Sequence, residues 1–67
     1  MKDLQIVVRI SNKNGDFIEN YYDVISVSGD VALDDYEKLF NAMRQQCPVL
    51  YDDFSDCEFE ITDVWEV

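Results

Sequence analysis

The sequence predicts an α+β fold: a three-stranded antiparallel sheet with one helix packed on one face, in the chain order β-β-α-β. Three observations carry this. Leu4, Ile6, Val8 and Ile10 alternate with Gln5, Arg9 and Ser11; Asn14-Gly15 stands between this run and a second β-rich one; and a stretch with helical spacing separates them from a last alternating segment. A right-handed crossover through the helix returns the last strand beside the first, giving the order 2-1-3. The apolar run Ile6-Val7-Val8 suits the first strand to the centre. An order 1-2-3 with one parallel pair is the alternative.

The first strand is followed by Asn14-Gly15, the strongest short-range hairpin signal, and Phe17 to Val27 supplies the returning strand. A two-residue loop sets Ile6 opposite Asp23 and Ile10 opposite Glu19, placing acids beside the core face. A three-residue loop, Lys13-Asn14-Gly15, with Gly15 in the left-handed region, pairs Ile10 with Ile18, Ile6 with Tyr22 and Leu4 with Val24, and sets Arg9 against Glu19 outside. The sequence is therefore expected to adopt the three-residue loop and that register. Past Val24 the apolar parity moves to Ile25 and Val27, which implies a bulge or twist.

Ser28-Gly29-Asp30 closes the second strand. Leu33, Tyr36, Leu39, Phe40, Met43 and Cys47 then fall on one helix face. Two starts compete: Asp30 capping a helix from Val31, or Asp34 as N-cap with Glu37 three residues on. Acids in the first turn and Arg44 near the end suit the helix dipole. Pro48 ends the helix at about Gln46. Residues 49–56 read as an acidic connection with apolar anchors. Phe59, Ile61, Trp65 and Val67 then share one parity of a third strand, opposite Glu58, Glu60, Thr62 and Glu66, and Asp63 breaks the inner pattern at a margin or bulge. Trp65, Phe40, Phe59 and Tyr36 are expected in the core.

Composition bounds the function. The chain has 67 residues, 15 carboxylates, five basic side chains and no histidine, for a formal charge of -10. Disordered acidic chains are poor in aromatic and β-branched residues. Here 48% of residues are hydrophobic and 13% aromatic, so residues 1–67 are expected to form a single compact domain. At this size folding buries only roughly 60% of the unfolded surface, leaving little stability to spare. The N-terminus lacks a signal-peptide core and no apolar run approaches the roughly 20 residues of a membrane span, so a cytoplasmic location is expected. Cys47 and Cys57 are then free thiols rather than a disulfide.

Without histidine the usual general base is missing, and neither a G-x-S-x-G elbow nor a Cys-His pair exists. Gly15 and Gly29 are isolated, so no phosphate-cradling loop is present. No catalytic residue, cofactor or metal site is expected. Asp52, Asp53, Asp56, Glu58 and Glu60 are dense in oxygen donors, but they lack EF-hand spacing and read first as a solvated acidic edge.

The negative field repels nucleic acid and anionic membranes and attracts basic proteins. Same-face residues on a strand repeat at about 6.8 Å, close to the separation of neighbouring phosphates, so Glu58 and Glu60 present charge with a phosphate-like pitch. Asp34, Asp35 and Glu37, with Asp52, Asp53 and Asp56, and the hairpin acids Glu19 and Asp23, extend this track. Tyr21 and Tyr51 are candidate aromatic anchors within it. Alternatives are a protein-protein adaptor or antitoxin-like module using strand edges and aromatic contacts, and a weak carboxylate metal binder. An open strand edge also offers a route to a homodimer.

In length, in the charge borne by Glu58, Glu60, Asp52, Asp53, Asp56, Asp34, Asp35 and Glu37, and in its α+β pattern, the chain resembles the small acidic inhibitors of phages and mobile elements, the anti-CRISPR proteins and anti-restriction DNA mimics. That resemblance implies stoichiometric inhibition, in which the protein occupies the basic channel of a host effector such as a Cas nuclease or surveillance complex.

Overall fold

The structure is a computed structural model describing residues 1–67. The alternation at Leu4, Ile6, Val8 and Ile10 becomes strand β1 (Lys2–Ser11), with all four side chains fully buried. β2 (Phe17–Val27) and β3 (Glu58–Glu66) flank it antiparallel, in the order β2-β1-β3. Helix α1 (Tyr36–Gln46) and a short helix α2 (Pro48–Asp53) contribute Leu39, Met43 and Leu50 to the same core as the even residues of β1, so both lie on one face of the sheet. The other face is uncovered. Neither helix is long and apolar enough to cross a membrane.

The hairpin loop forms as expected but the register beyond it does not. Asn12 donates its N–H to Asp16 O (2.9 Å), Gly15 donates to Asn12 O (3.0 Å), and Gly15 has φ +88°, which defines Lys13-Asn14-Gly15 as the loop. The Asn12 carboxamide oxygen also accepts from the N–H groups of Asn14 and Asp16. A bulge then intervenes between the Ser11–Phe17 and Ile10–Glu19 pairs and leaves Ile18 without a cross-strand partner. Ile10 therefore faces Glu19, Ile6 faces Asp23 and Leu4 faces Ile25, and Arg9 lies opposite Asn20 instead of Glu19. The shift turns Ile25 and Val27 into the core, and the inward parity of β2 runs unbroken from Glu19 to Val27 with no break after Val24. Burying these two side chains contributes about 1.5–3 kcal/mol each, at the expense of Tyr22 and Val24, which turn to the uncovered face, and the half-buried Asp23 finds hydrogen-bond donors.

A second bulge, between the pairs Val7–Asp63 and Val8–Ile61, leaves Thr62 unpaired and places Asp63 at the irregularity its position implied. Before it, Phe59 and Ile61 face inward opposite Ile10 and Val8. After it, Val64 faces inward opposite Ile6, and Trp65 lies opposite Gln5 on the uncovered face, 44% exposed. Trp65 is thus not a core residue. Neither is Tyr36, which is half exposed, whereas Phe40 and Phe59 pack partly buried against the core.

Asp35 is the N-cap of α1, accepting the Lys38 N–H at 3.4 Å, in place of Asp30 or Asp34. Hydrogen-bonded turns occupy the preceding segment, where Val31 is buried and Leu33 is not. Leu39, Met43 and Cys47 form the buried stripe. The helix ends at Gln46, as Pro48 dictates, but the same proline opens α2 at its first turn, where its missing N–H costs nothing. The expected irregular connection is therefore partly helical, with Leu50 fully buried. Cys47 and Cys57 are free thiols, the first buried and the second half-buried.

Candidate protein-binding surface

The segment from the end of α2 into β3 sets Asp52, Asp53, Asp56, Glu58 and Glu60 in succession along one edge of the molecule, all exposed. The first turns of α1 approach this edge. Tyr36 and Phe40 from α1 join Phe59, Glu60 and Ile61 from β3 around an open groove of about 280 Å³. At its other end α1 meets β2, where the Gln46 carboxamide accepts from Ser26 N–H (2.8 Å) and donates to Ser26 O (2.7 Å). The helix therefore crosses the sheet diagonally and brings the acids at its start, exposed Asp34 and Glu37 and half-buried Asp35, to the β3 side.

Glu19, Tyr21 and Asp23 do not join this group. They lie on β2, two strands away, on the parity that faces the helices. Glu19 is exposed near the hairpin. Asp23 is half-buried and accepts from the Tyr21 hydroxyl (2.7 Å), the Val24 N–H (2.8 Å) and the Cys47 thiol (3.4 Å). The Tyr21 hydroxyl, ahead of the other influences, holds the Asp23 carboxyl below its ordinary range. Burial, reinforced by Asp23, pushes the Tyr21 phenol well above its usual value, and burial pushes the Cys47 thiol up as well. Tyr51 is also half-buried: its ring meets Phe59 edge-on with centroids 5.1 Å apart, and the Arg44 guanidinium lies over it at 5.6 Å. Burial raises the Tyr51 phenol too.

The basic side chains leave the acids almost untouched. Lys38–Asp35, at 3.8 Å, is the one ion pair among fifteen carboxylates. Arg9 sits over the Phe17 ring at 5.5 Å, although Glu60 is its cross-strand neighbour. No three Cys, Asp or Glu side chains converge where a metal ion could bind.

Two features were not anticipated from sequence: the groove between α1 and β3, and the apolar row on the uncovered face, where Val24 and Trp65 flank Gln5 and Tyr22 flanks Val7. The groove had a signal in Tyr36 and Phe40, whose helical spacing placed them inward without revealing that α1 leaves β3 partly uncovered. No family model matches the chain, and no curated protein or solved structure shows significant similarity to it.

Proposed function

We propose that this protein is a non-catalytic, stoichiometric inhibitor that acts in the cytoplasm by binding the basic surface of a nucleic-acid-binding protein. The observation that carries this reading is the near-total absence of internal compensation: fifteen carboxylates, one ion pair, and five exposed acids in sequence from Asp52 to Glu60. Unpaired exposed carboxylates at strand pitch are available to replace phosphates in a channel that would otherwise hold nucleic acid. The partner class is a Cas effector or restriction enzyme, and the mode is that of the acidic anti-CRISPR and anti-restriction inhibitors that the sequence resembles.

The test is retention of proteins from bacterial lysate on the immobilised chain, repeated with charge reversed at Asp52, Asp53, Asp56, Glu58 and Glu60. Each exposed ion pair contributes only about 0.2–1 kcal/mol, so single reversals should have little effect and the fivefold reversal a large one. The expected result is retention of nucleic-acid-binding proteins that is lost on reversal and at high salt, and displacement of their nucleic acid by the wild-type chain. Retention that survives both the reversal and high salt would reject the reading.

A further inference from the structure

We propose that the outer edge of β3 accepts an extended segment of a partner protein as a fourth strand, one in which apolar side chains alternate with lysine or arginine. The proposal rests on the acidic-surface reading for the charge of the partner, and on the backbone for the mode of docking.

The two edges of the sheet are not equivalent. Along β2, the Gln46 carboxamide takes both the N–H and the C=O of Ser26, and Asp23 takes the N–H of Val24. The stretch of this edge from Val24 to Ser26 is occupied by the protein's own side chains, and the remaining stretch, Phe17–Tyr22, has no apolar groove beside it. Along β3, Asp63 takes the N–H of Val64 just past the Thr62 bulge, but no side chain hydrogen-bonds the main chain of Glu58, Phe59, Glu60 or Ile61. An edge strand presents unpaired N–H and C=O groups, and an extended chain satisfies them by joining the sheet.

The surroundings of this stretch select the occupant. A strand added beside β3 lies about 4.8 Å further out, and every second side chain points toward the helix-covered face. There it meets the groove lined by Tyr36, Phe40, Phe59 and Ile61, which suits apolar side chains. The intervening side chains point to the other face, beside Glu58 and Glu60, where cross-strand neighbours of opposite charge are favoured. A second copy is the wrong occupant. Pairing two β3 edges would bring Glu58, Glu60 and Asp63 of one copy, which share the uncovered face, against the same acids of the other, on chains that each carry -10.

The probe is a capped nine-residue peptide of alternating valine and lysine, titrated into the isotopically labelled full chain at about 50 mM salt, where surface charge is weakly screened. Three control peptides replace lysine by serine, replace lysine by glutamate, or keep the sequence with its central five amides N-methylated. Binding of the valine-lysine peptide should shift the amides of Glu58–Ile61 and of the first turns of α1, leaving Ser26 unmoved. The glutamate and N-methylated peptides should bind at least about tenfold more weakly. The double variant Glu58→Lys, Glu60→Lys should exchange the preferences for lysine and glutamate. Equal binding of the N-methylated peptide would overturn edge docking while leaving the acidic surface intact. Serine peptide binding as tightly as lysine peptide would overturn the basic occupant and count against the acidic-surface reading. An absence of shifts at Glu58–Ile61 with every peptide would overturn the docking site itself.

Discussion

Replacing Tyr21 by phenylalanine isolates the interaction that lets an acid sit beside the core. Asp23 lies directly opposite fully buried Ile6, and the Tyr21 hydroxyl donates to it at 2.7 Å. Phenylalanine keeps the ring and removes only that donor, leaving Asp23 with the Val24 N–H and a long contact from the Cys47 thiol. A hydrogen bond to a charged group contributes about 1.5–3 kcal/mol, and water replaces part of it at a half-exposed site, so the expected loss is about 1 kcal/mol. In a domain of this size that lowers the melting temperature by about 4–8 °C. A double-mutant cycle with Asp23→Ala, followed by calorimetry and circular dichroism, should recover a coupling of about 1 kcal/mol at neutral pH. Asp23 has its carboxyl held down in the folded state, so its contribution is complete above the ordinary carboxylate range and is lost as pH falls through the depressed value. Tyr21 has its phenol raised, so its contribution is complete below the ordinary phenol value of about 10 and is lost as pH rises beyond it. The coupling should therefore vanish in acid. A neutral Tyr21→Phe variant at pH 7, or a coupling that does not change with pH, would refute this account of the register.

Two further substitutions probe local backbone. Gly15→Ala should destabilise by about 1–2 kcal/mol, because φ is +88° while no atom lies within 4 Å of the added methyl; Asn at this position should recover part of the loss, read by urea denaturation with an unchanged m-value. Gln46→Ala should cost about 1 kcal/mol for two exposed hydrogen bonds and should accelerate amide hydrogen exchange at Ser26, with exchange at Phe59 unchanged.

The strand order and the helix were legible because they rest on periodicity: the alternation from Leu4 to Ile10 and the spacing of Leu39, Met43 and Cys47 leave few other ways to bury those side chains. The three-residue hairpin loop forms as expected, although the rule that selected it, that acids avoid the core face, does not hold for the register beyond it. The register was not legible. The donors that relieve Asp23 come from Tyr21, two residues away on the same face, and from Cys47, distant in sequence. Tyr21 was visible in principle as a partner; Cys47 required the tertiary fold. The bulge at Thr62 was signalled by Asp63, yet the break did not reveal which of Val64 and Trp65 turns inward. Pro48 both ends one helix and suits the first turn of another, and the sequence does not say which role dominates. Among the site residues, the run from Asp52 to Glu60 is contiguous in sequence and stays contiguous in space. The dispersal of Glu19, Tyr21 and Asp23 to the far edge follows from the strand order combined with the bulged register.

The Thr62 bulge has an optical consequence. By turning Trp65 out beside Gln5, it gives the chain's sole indole to the uncovered face instead of the interior. Intrinsic fluorescence is then a native reporter of that face. Its emission should be that of a partly hydrated ring, accessible to acrylamide, and should move further to the red on unfolding, which hydrates the part still covered. A partner seated in the groove beside α1 leaves this signal nearly constant, whereas one that covers Tyr22, Val24 and Trp65 shifts it to the blue, so a single cuvette titration distinguishes the two sides of the sheet without a label.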